Sequence, residues 1–326
     1  YSSTPFTWES DVYSGIATVG GGVCLVVEND YGDLPIITCL SPERTDIWMR
    51  DDLELECESD GSVPGAVPDY DGNILIMHAN RRDLYSISLK DGSVTRIIKG
   101  TEKYEEADGK IIEPLSMDEV HGMTSFPDGS ILLLKSRDTD DGYYREFVRY
   151  DREGNPLPLW KKATKAEEKR PGFFARLFGL YSRVSQKFTI PYFEDIGDNP
   201  EKLKDSSVEM ASGQDGSLYL LRSERLAAFD AHGNMRYSVE IPCRSTWGRP
   251  VANRWGEAFI LTEKENDRYE VQRISAAGEV SVWAESVKDG GKVENSDSIV
   301  LTSEGNIHIL GYGGLWITID EYSSTV

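Results

Sequence analysis

Short apolar runs behind polar glycine turns recur along this chain at nearly even spacing. Asp128 and Gly129 introduce Ile131–Leu134, and the same order stands at Gly22 with Val23–Val27, Gly72 with Ile74–Met77, Gly216 with Leu218–Leu221, Gly256 with Ala258–Leu261 and Gly305 with Ile307–Leu310. The six glycines lie 50, 57, 87, 40 and 49 residues apart, and passing from Gly305 through Val326 and on from Tyr1 to Gly22 adds a further 43. A repeat of about 40–50 residues built from strand-like units marks a propeller blade and not a helical solenoid.

Each unit predicts four strands. A short strand precedes the turn, as at Gly65–Val67, Gly122–Phe126 and Asp297–Leu301. The apolar run is the second, and a charged tip leads into a third that ends at a further glycine: Leu84–Leu89 before Gly92, Phe147–Tyr150 before Gly154, Leu226–Phe229 before Gly233, Val271–Ile274 before Gly278. Val94–Ile98, Met235–Val239 and Glu279–Trp283 supply fourth strands. Second strands such as Ile131–Leu134 lack alternation, which predicts cover on both faces. Third strands alternate, as in Phe147, Arg149 and Asp151, which predicts a sheet region nearer solvent. Asp-Gly and Glu-Gly pairs supply the positive φ of tight turns, so the repeated glycines are turn chemistry.

The last unit has no fourth strand of its own, and open sheet edges are unfavourable. We therefore expect the stretch Phe6–Val12 to complete it and Tyr13–Val19 to open the first blade. The expected fold class is all-β: a six-bladed β-propeller of four-stranded antiparallel blades, closed by the N-terminal strand, forming one domain over residues 1–326.

The 87-residue interval is where the repeat breaks. Residues 161–204 read as an insertion, and Lys161–Lys187 holds eight Lys or Arg against two Glu, a local +6 that leaves −27 for the rest of a chain of net charge −21. Within it Phe173, Leu177, Leu180, Tyr181 and Val184 keep helical spacing, Phe174 and Phe178 widen the stripe, and Arg176 and Arg183 mark the other face, predicting an amphipathic basic helix over about 172–187. That helix could pack on its own propeller, dock another protein or lie on a membrane surface. Its candidate partner-binding residues are Phe173, Phe174, Leu177, Phe178, Tyr181, Arg176 and Arg183.

The strong negative charge argues against nucleic acid as a partner, and no apolar run reaches the roughly 18 residues of a membrane-spanning helix. The start at Tyr1 shows neither a basic nor an apolar leader and no initiator Met, which leaves the compartment open between the cytoplasm, slightly favoured, and export of a processed chain. Cys24, Cys39, Cys57 and Cys243 have no metal-binding spacing and read as buried thiols. If Val23–Glu28 and Pro35–Leu40 pair as a symmetric hairpin, Cys24 faces Cys39, and a disulfide there stays open.

The pattern of short strand, Asp-Gly, apolar strand, charged tip and a strand ending in Asp-x-x-Gly resembles NHL-repeat and gluconolactonase-like six-bladed propellers over nearly the whole chain. That resemblance implies architecture more than activity, since such folds serve lactonases, esterases, sugar dehydrogenases and binding scaffolds. It also implies that a divalent metal such as Ca²⁺ could sit in the central channel on residues of the innermost strands. Counting eight back from each turn glycine gives Ser14, Pro64, His121, Val208, Gly248 and Asp297; only Asp297 and His121 could bind metal, and a hard cation needs more oxygen donors than these. Glu119, Glu209 and Arg249 stand close by in sequence and complete the candidate channel lining with His121 and Asp297. No nucleophile elbow, His-Glu-x-x-His or phosphate loop is present in the sequence. The expected function is therefore a non-catalytic protein-interaction scaffold, without cofactor, that takes another protein, as in a multi-subunit complex, on the insertion and the charged tips of its face. The alternative is a metal-dependent hydrolase or lactonase with a central-channel site.

Overall fold

The computed structural model describes residues 12–17, 23–27, 36–41, 46–50, 67–69, 73–78, 83–98, 104–105, 111–112, 120–139, 142–160, 208–222, 224–264, 268–285, 296–301, 306–311 and 315–319. Among these all regular structure is β. The first sheet holds β1 (Val12–Ala17), β2 (Val23–Val27), β3 (Ile36–Leu40) and β4 (Asp46–Arg50). The second holds β5 (Val67–Asp69), β6 (Asn73–His78), β7 (Asp83–Ser88) and β8 (Val94–Ile98). A small pair that the repeat did not announce follows, β9 (Tyr104–Glu105) with β10 (Ile111–Ile112).

The third sheet is β11 (Val120–Ser125), β12 (Ile131–Thr139), β13 (Gly142–Tyr150) and a two-residue β14 (Pro156–Leu157). The fourth is β15 (Glu209–Ser212), β16 (Leu218–Arg222), β17 (Arg225–Phe229) and β18 (Met235–Glu240), and the fifth is β19 (Ser245–Ala252), β20 (Ala258–Lys264), β21 (Arg268–Ile274) and β22 (Val280–Glu285). The last, β23 (Ser296–Leu301), β24 (Ile307–Gly311) and β25 (Leu315–Ile319), has three strands. Every pairing is antiparallel and in chain order, so each sheet is a meander.

The sheets form a β-propeller. Their first strands neighbour one another in a closed cycle, β1 with β5, β5 with β11, β11 with β15, β15 with β19, β19 with β23, and β23 with β1. Five sheets have the expected four strands; the last has three. Of the segment Phe6–Val12 expected to complete it, Val12 instead begins β1 opposite Val27 in the first sheet, and residues 6–11 lie outside the described residues. The insertion at 161–204, with its helix at 172–187, lies outside them too. The chain reaches Trp160 beyond the outer strand β14 and is described again from Val208, at the head of the inner strand β15.

Packing between sheets explains the unbroken apolar second strands. Ile131, Leu132, Leu133 and Leu134 are all buried, and alternate members face opposite neighbours. Ile131 and Leu133 join Leu75 and Leu84 of the second sheet, whereas Leu132 and Leu134 join Met210, Leu220 and Phe229 of the fourth. Each such side chain gains about 2 kcal/mol of transfer free energy, so both faces of one strand stabilise the ring. The inner strands are also stitched by hydroxyls: Ser125 Oγ donates to Pro68 O at 2.6 Å, and Ser212 Oγ donates to Ser125 O.

A second device locks neighbours at the outer turns. The glycine of a third-to-fourth-strand turn lies flat against an aromatic ring at the outer side of the preceding sheet: Gly92 on Trp48, Gly233 on Trp160, Gly278 on Tyr237. At Gly233, φ is +83° and a Cβ would stand 2.5 Å from Trp160 Nε1, so glycine is required by both the turn and the contact.

One expectation needs correction. Third strands are only in part nearer solvent: Tyr85, Ser86, Phe147 and Val148 are half-buried, but Leu226, Ala227, Ala228 and Phe229 are buried, and so is Arg149 at 5% exposure. The polar member of that alternation is internal because it is saturated. Arg149 donates from Nε to Ser130 Oγ at 2.8 Å, from Nη1 to Leu159 O at 3.0 Å and from Nη2 to Asp128 Oδ2 at 2.8 Å, with its guanidinium 4.5 Å from the Phe126 ring centre. A buried charge survives when paired and hydrogen-bonded in this way.

Candidate functional site

The candidate site is set by irregularities in the innermost strands, near the start of β1, β11 and β23 and within β19. On β11 the pairing passes from Val120↔Lys135 to Gly122↔Leu134, which leaves His121 as an extra residue. On β23 it passes from Ser296↔Gly311 to Ser298↔Leu310, which leaves Asp297 extra. On β19 the step from Trp247↔Leu261 to Val251↔Phe259 sets Gly248, Arg249 and Pro250 against the single residue Ile260. On β1 the extra residue is Tyr13. A β-bulge bends its strand, leaves ladder groups unpaired and re-aims side chains, which is why bulges collect at barrel rims and active sites.

Three of the five residues proposed from sequence as channel lining, His121, Arg249 and Asp297, are thus bulge residues. Glu209 opens the regular strand β15, next to β19 in the cycle. Here the structure brings two of the set together: Arg249 Nε lies 3.3 Å from Glu209 Oε2, with side chains 27% and 37% exposed. A pair this wet is worth at most about 1 kcal/mol to folding, so its interest lies in the charge and hydrogen-bonding groups it presents on two neighbouring inner strands. β11 and β23, carrying His121 and Asp297, occupy opposite places in the cycle. Glu119 and the insertion residues Phe173, Phe174, Leu177, Phe178, Tyr181, Arg176 and Arg183 lie outside the described residues.

For a divalent ion the donor set is mixed. Glu209 already faces a guanidinium, which disfavours a second cation beside it, and among the described residues no group of three His, Cys, Asp or Glu gathers in ligating arrangement. Asp297 and His121 remain, and a hard cation held by them would need bulge carbonyls and water to reach its usual six to eight oxygens.

Counting back from the turn glycines came upon or beside these positions because His121, Glu209, Arg249 and Asp297 all stand seven or eight residues ahead of their turn glycines. It missed Tyr13, landing on Ser14, and it missed Arg249 by one residue, because a bulge adds residues that a fixed count cannot see. A second recess escaped it altogether. Phe126, Arg149, Trp160, Gln214, Asp215 and Ala231 line a cleft of about 120 Å³ between the third and fourth sheets. Beyond it Asp215 meets Arg236 at 3.3 Å, and the buried phenol of Tyr219 is pushed up to about 12 by burial, with the Asp215 charge adding to the effect. Gln214 and Asp215 sit in a stretch that reads as an ordinary turn, and only assembly of adjacent sheets makes a recess of them.

No protein-family model matches the chain, and no curated protein matches it. Solved structures do. A streptogramin B lyase superposes with a TM-score of 0.52 at 12% identity, covering 98% of this chain and 96% of that one. The fold is shared. A selenomethionine-substituted virginiamycin B lyase from Staphylococcus aureus gives 0.52 at 12% identity over 97% of both chains. YCF48 bound to D1 peptide gives 0.50 at 11% identity over 98% of this chain and 96% of that one. The resemblance of the repeat pattern to NHL-type propellers therefore holds for the fold, and at these identities the likeness is one of fold alone. No helix among the described residues is long and apolar enough to cross a membrane.

Proposed function

We propose that this chain is a protein-interaction propeller that receives its partner over the face on which the inner strands begin, centred on the Arg249–Glu209 pair. The observation that carries the reading is the alignment of bulges on β1, β11, β19 and β23 beside that pair. Bulged backbone offers unpaired N–H and C=O groups, and an exposed Arg–Glu pair offers a donor and an acceptor to an incoming chain. Support from the fold is that a propeller of the same architecture, YCF48, binds a peptide. In the full reading there are six blades, the last completed by the residues 6–11 that precede β1. The 161–204 insertion adds an amphipathic basic rim over about 172–187, and the partner belongs to a multi-subunit complex.

Site-specific photo-crosslinking in cells tests this. A photoreactive amino acid at position 249 should give a discrete adduct, whereas the same group at Leu157, exposed on the outer strand β14, should give none. Equal adducts at both positions, or none at 249, would refute the mouth as the binding surface.

The second reading is a metal-dependent hydrolase or lactonase at the same mouth, favoured by His121 and Asp297 standing at bulges on opposite inner strands. Elemental analysis separates the two. A stoichiometric divalent ion that disappears in Asp297→Ala supports the enzyme, and a metal-free protein that still gives the 249 adduct supports the binding propeller.

A further inference from the structure

Cys24 on β2 and Cys39 on β3 are direct cross-strand partners, and both are buried free thiols, at 1% and 0% exposure. Directly opposed residues of an antiparallel pair hold their Cα atoms about 4.5–5.5 Å apart and point to the same face, and a disulfide spans Cα separations of about 4.4–6.8 Å. The two sulfurs therefore meet without any movement of the sheet. We infer that Cys24 and Cys39 form a built dithiol site that closes to an intramolecular disulfide by exchange with a small oxidised thiol of the glutathione-disulfide class.

The surroundings suit the bond. Both residues belong to the core between the first and second sheets with Ile37, Ile74, Ile76 and Ile87, where a disulfide is less polar than two thiols. Cys39 Sγ–H donates to Leu89 O across the sheet interface at 3.8 Å, but Trp48 Nε1 donates to the same oxygen at 2.9 Å. Losing the thiol proton therefore leaves that carbonyl satisfied. Cys243, the other described cysteine, packs with the core of the fourth and fifth sheets and cannot compete in the folded chain.

The chemistry balances in two steps. The Cys39 thiolate attacks one sulfur of the oxidised thiol and expels a first glutathione thiolate. Cys24 then attacks the Cys39 sulfur of the mixed disulfide and expels the second, so two cysteines are oxidised, one external disulfide is reduced, and the two thiol protons leave on the two glutathiones. Cys39 is the natural first attacker because a hydrogen bond from Cys24 holds its thiol below the ordinary value, against the upward push of burial. Burial also sets the order of events: exchange proceeds while the first and second sheets are apart, during folding or local opening, and the assembled ring then protects the bond. The weld falls on the sheet whose β1 meets β23, the seam at which the ring closes.

The test equilibrates the whole protein in glutathione buffers of graded oxidising ratio, both folded and during refolding from urea. Samples are then acid-quenched, alkylated in denaturant and peptide-mapped. We expect one linked peptide joining Cys24 to Cys39, two hydrogens lighter than the free pair, and a Tm raised by about 4 °C in the oxidised form. Cys39→Val should abolish both signals, and Cys243→Ser should keep both. Full separate alkylation of Cys24 and Cys39 at the most oxidising ratio in both arms, or linkage of either to Cys57 or Cys243, would overturn the inference.

Discussion

Replacing Arg149 is the sharpest test of how the turns are tied to the ring. The side chain is buried and makes three hydrogen bonds, to Ser130 Oγ, Leu159 O and Asp128 Oδ2, all at 3.0 Å or less, while its guanidinium lies over Phe126. Arg149→Met keeps most of the volume and removes every one of these contacts. Ser130 retains its bond to Asp128 Oδ1 at 2.6 Å, so the acceptor that loses its donor is the Leu159 carbonyl, and Asp128 loses the guanidinium on its Oδ2. Asp128 is 35% exposed and partly rescued by water, which discounts the ion-pair share. Removing one member of a fully buried pair costs about 3–5 kcal/mol, and the exposed carboxylate brings the expectation here to about 3 kcal/mol. At about 2 cal/mol/K of unfolding entropy per residue, a chain of 326 residues loses roughly 1.5 °C per kcal/mol, so Tm should fall by about 4–5 °C. Differential scanning calorimetry reads this directly. Asp128→Asn, which keeps the turn acceptor and drops the charge, should lose about 1 kcal/mol. In the double variant the two losses should add to less than their sum. A fall of under 1 °C for Arg149→Met, or strict additivity with Asp128→Asn, would refute the claim that this buried arginine holds the Leu159–Trp160 segment to the third sheet.

Gly233→Ala should cost more than Gly216→Ala, by about 1–2 kcal/mol in urea unfolding. Both have positive φ, but a Cβ at Gly233 meets three Trp160 atoms at 2.5–2.6 Å whereas one at Gly216 meets only Ala231 at 3.2 Å; equal losses would remove the interlocking role of the glycine–aromatic contact. The Tyr219 phenol titrates in the folded chain near 12 against an ordinary value of 10.0, so its contribution is fully present below pH ~10 and is lost as pH rises through ~12. Two pH units correspond to roughly 3 kcal/mol, and Tyr219→Phe should flatten the fall of Tm between pH 10 and 12; an unchanged slope would contradict the burial argument. Cys243, half-buried, has its thiol pushed up to about 11, first by burial and then by Glu224. Its alkylation at pH 8 should run about a hundredfold slower than that of a free thiol, measured by mass spectrometry on native protein, and a rate within tenfold would refute it.

Sequence alone determined the meander. A glycine turn ahead of each apolar run sets a local hairpin, and local hairpins repeat because period-two strands and positive-φ turns are short-range properties of the chain. Gly129, Gly216 and Gly256 do have φ of +80°, +81° and +77°, and Cys24 does face Cys39. Tertiary structure decided whatever depends on a neighbouring sheet. Arg149 read as solvent-facing from its alternation, yet lies inside because Asp128 and Ser130 of one turn and Leu159 of another stretch converge on it. The candidate site divides the same way. Residue types near His121, Glu209, Arg249 and Asp297 were legible because all four stand seven or eight residues ahead of their turn glycines. The bulges that single out His121, Arg249 and Asp297, and the 3.3 Å meeting of Arg249 with Glu209, were not. A bulge is fixed by how one strand must bend to fit beside the next around a closed ring, and that constraint exists only after the ring has formed.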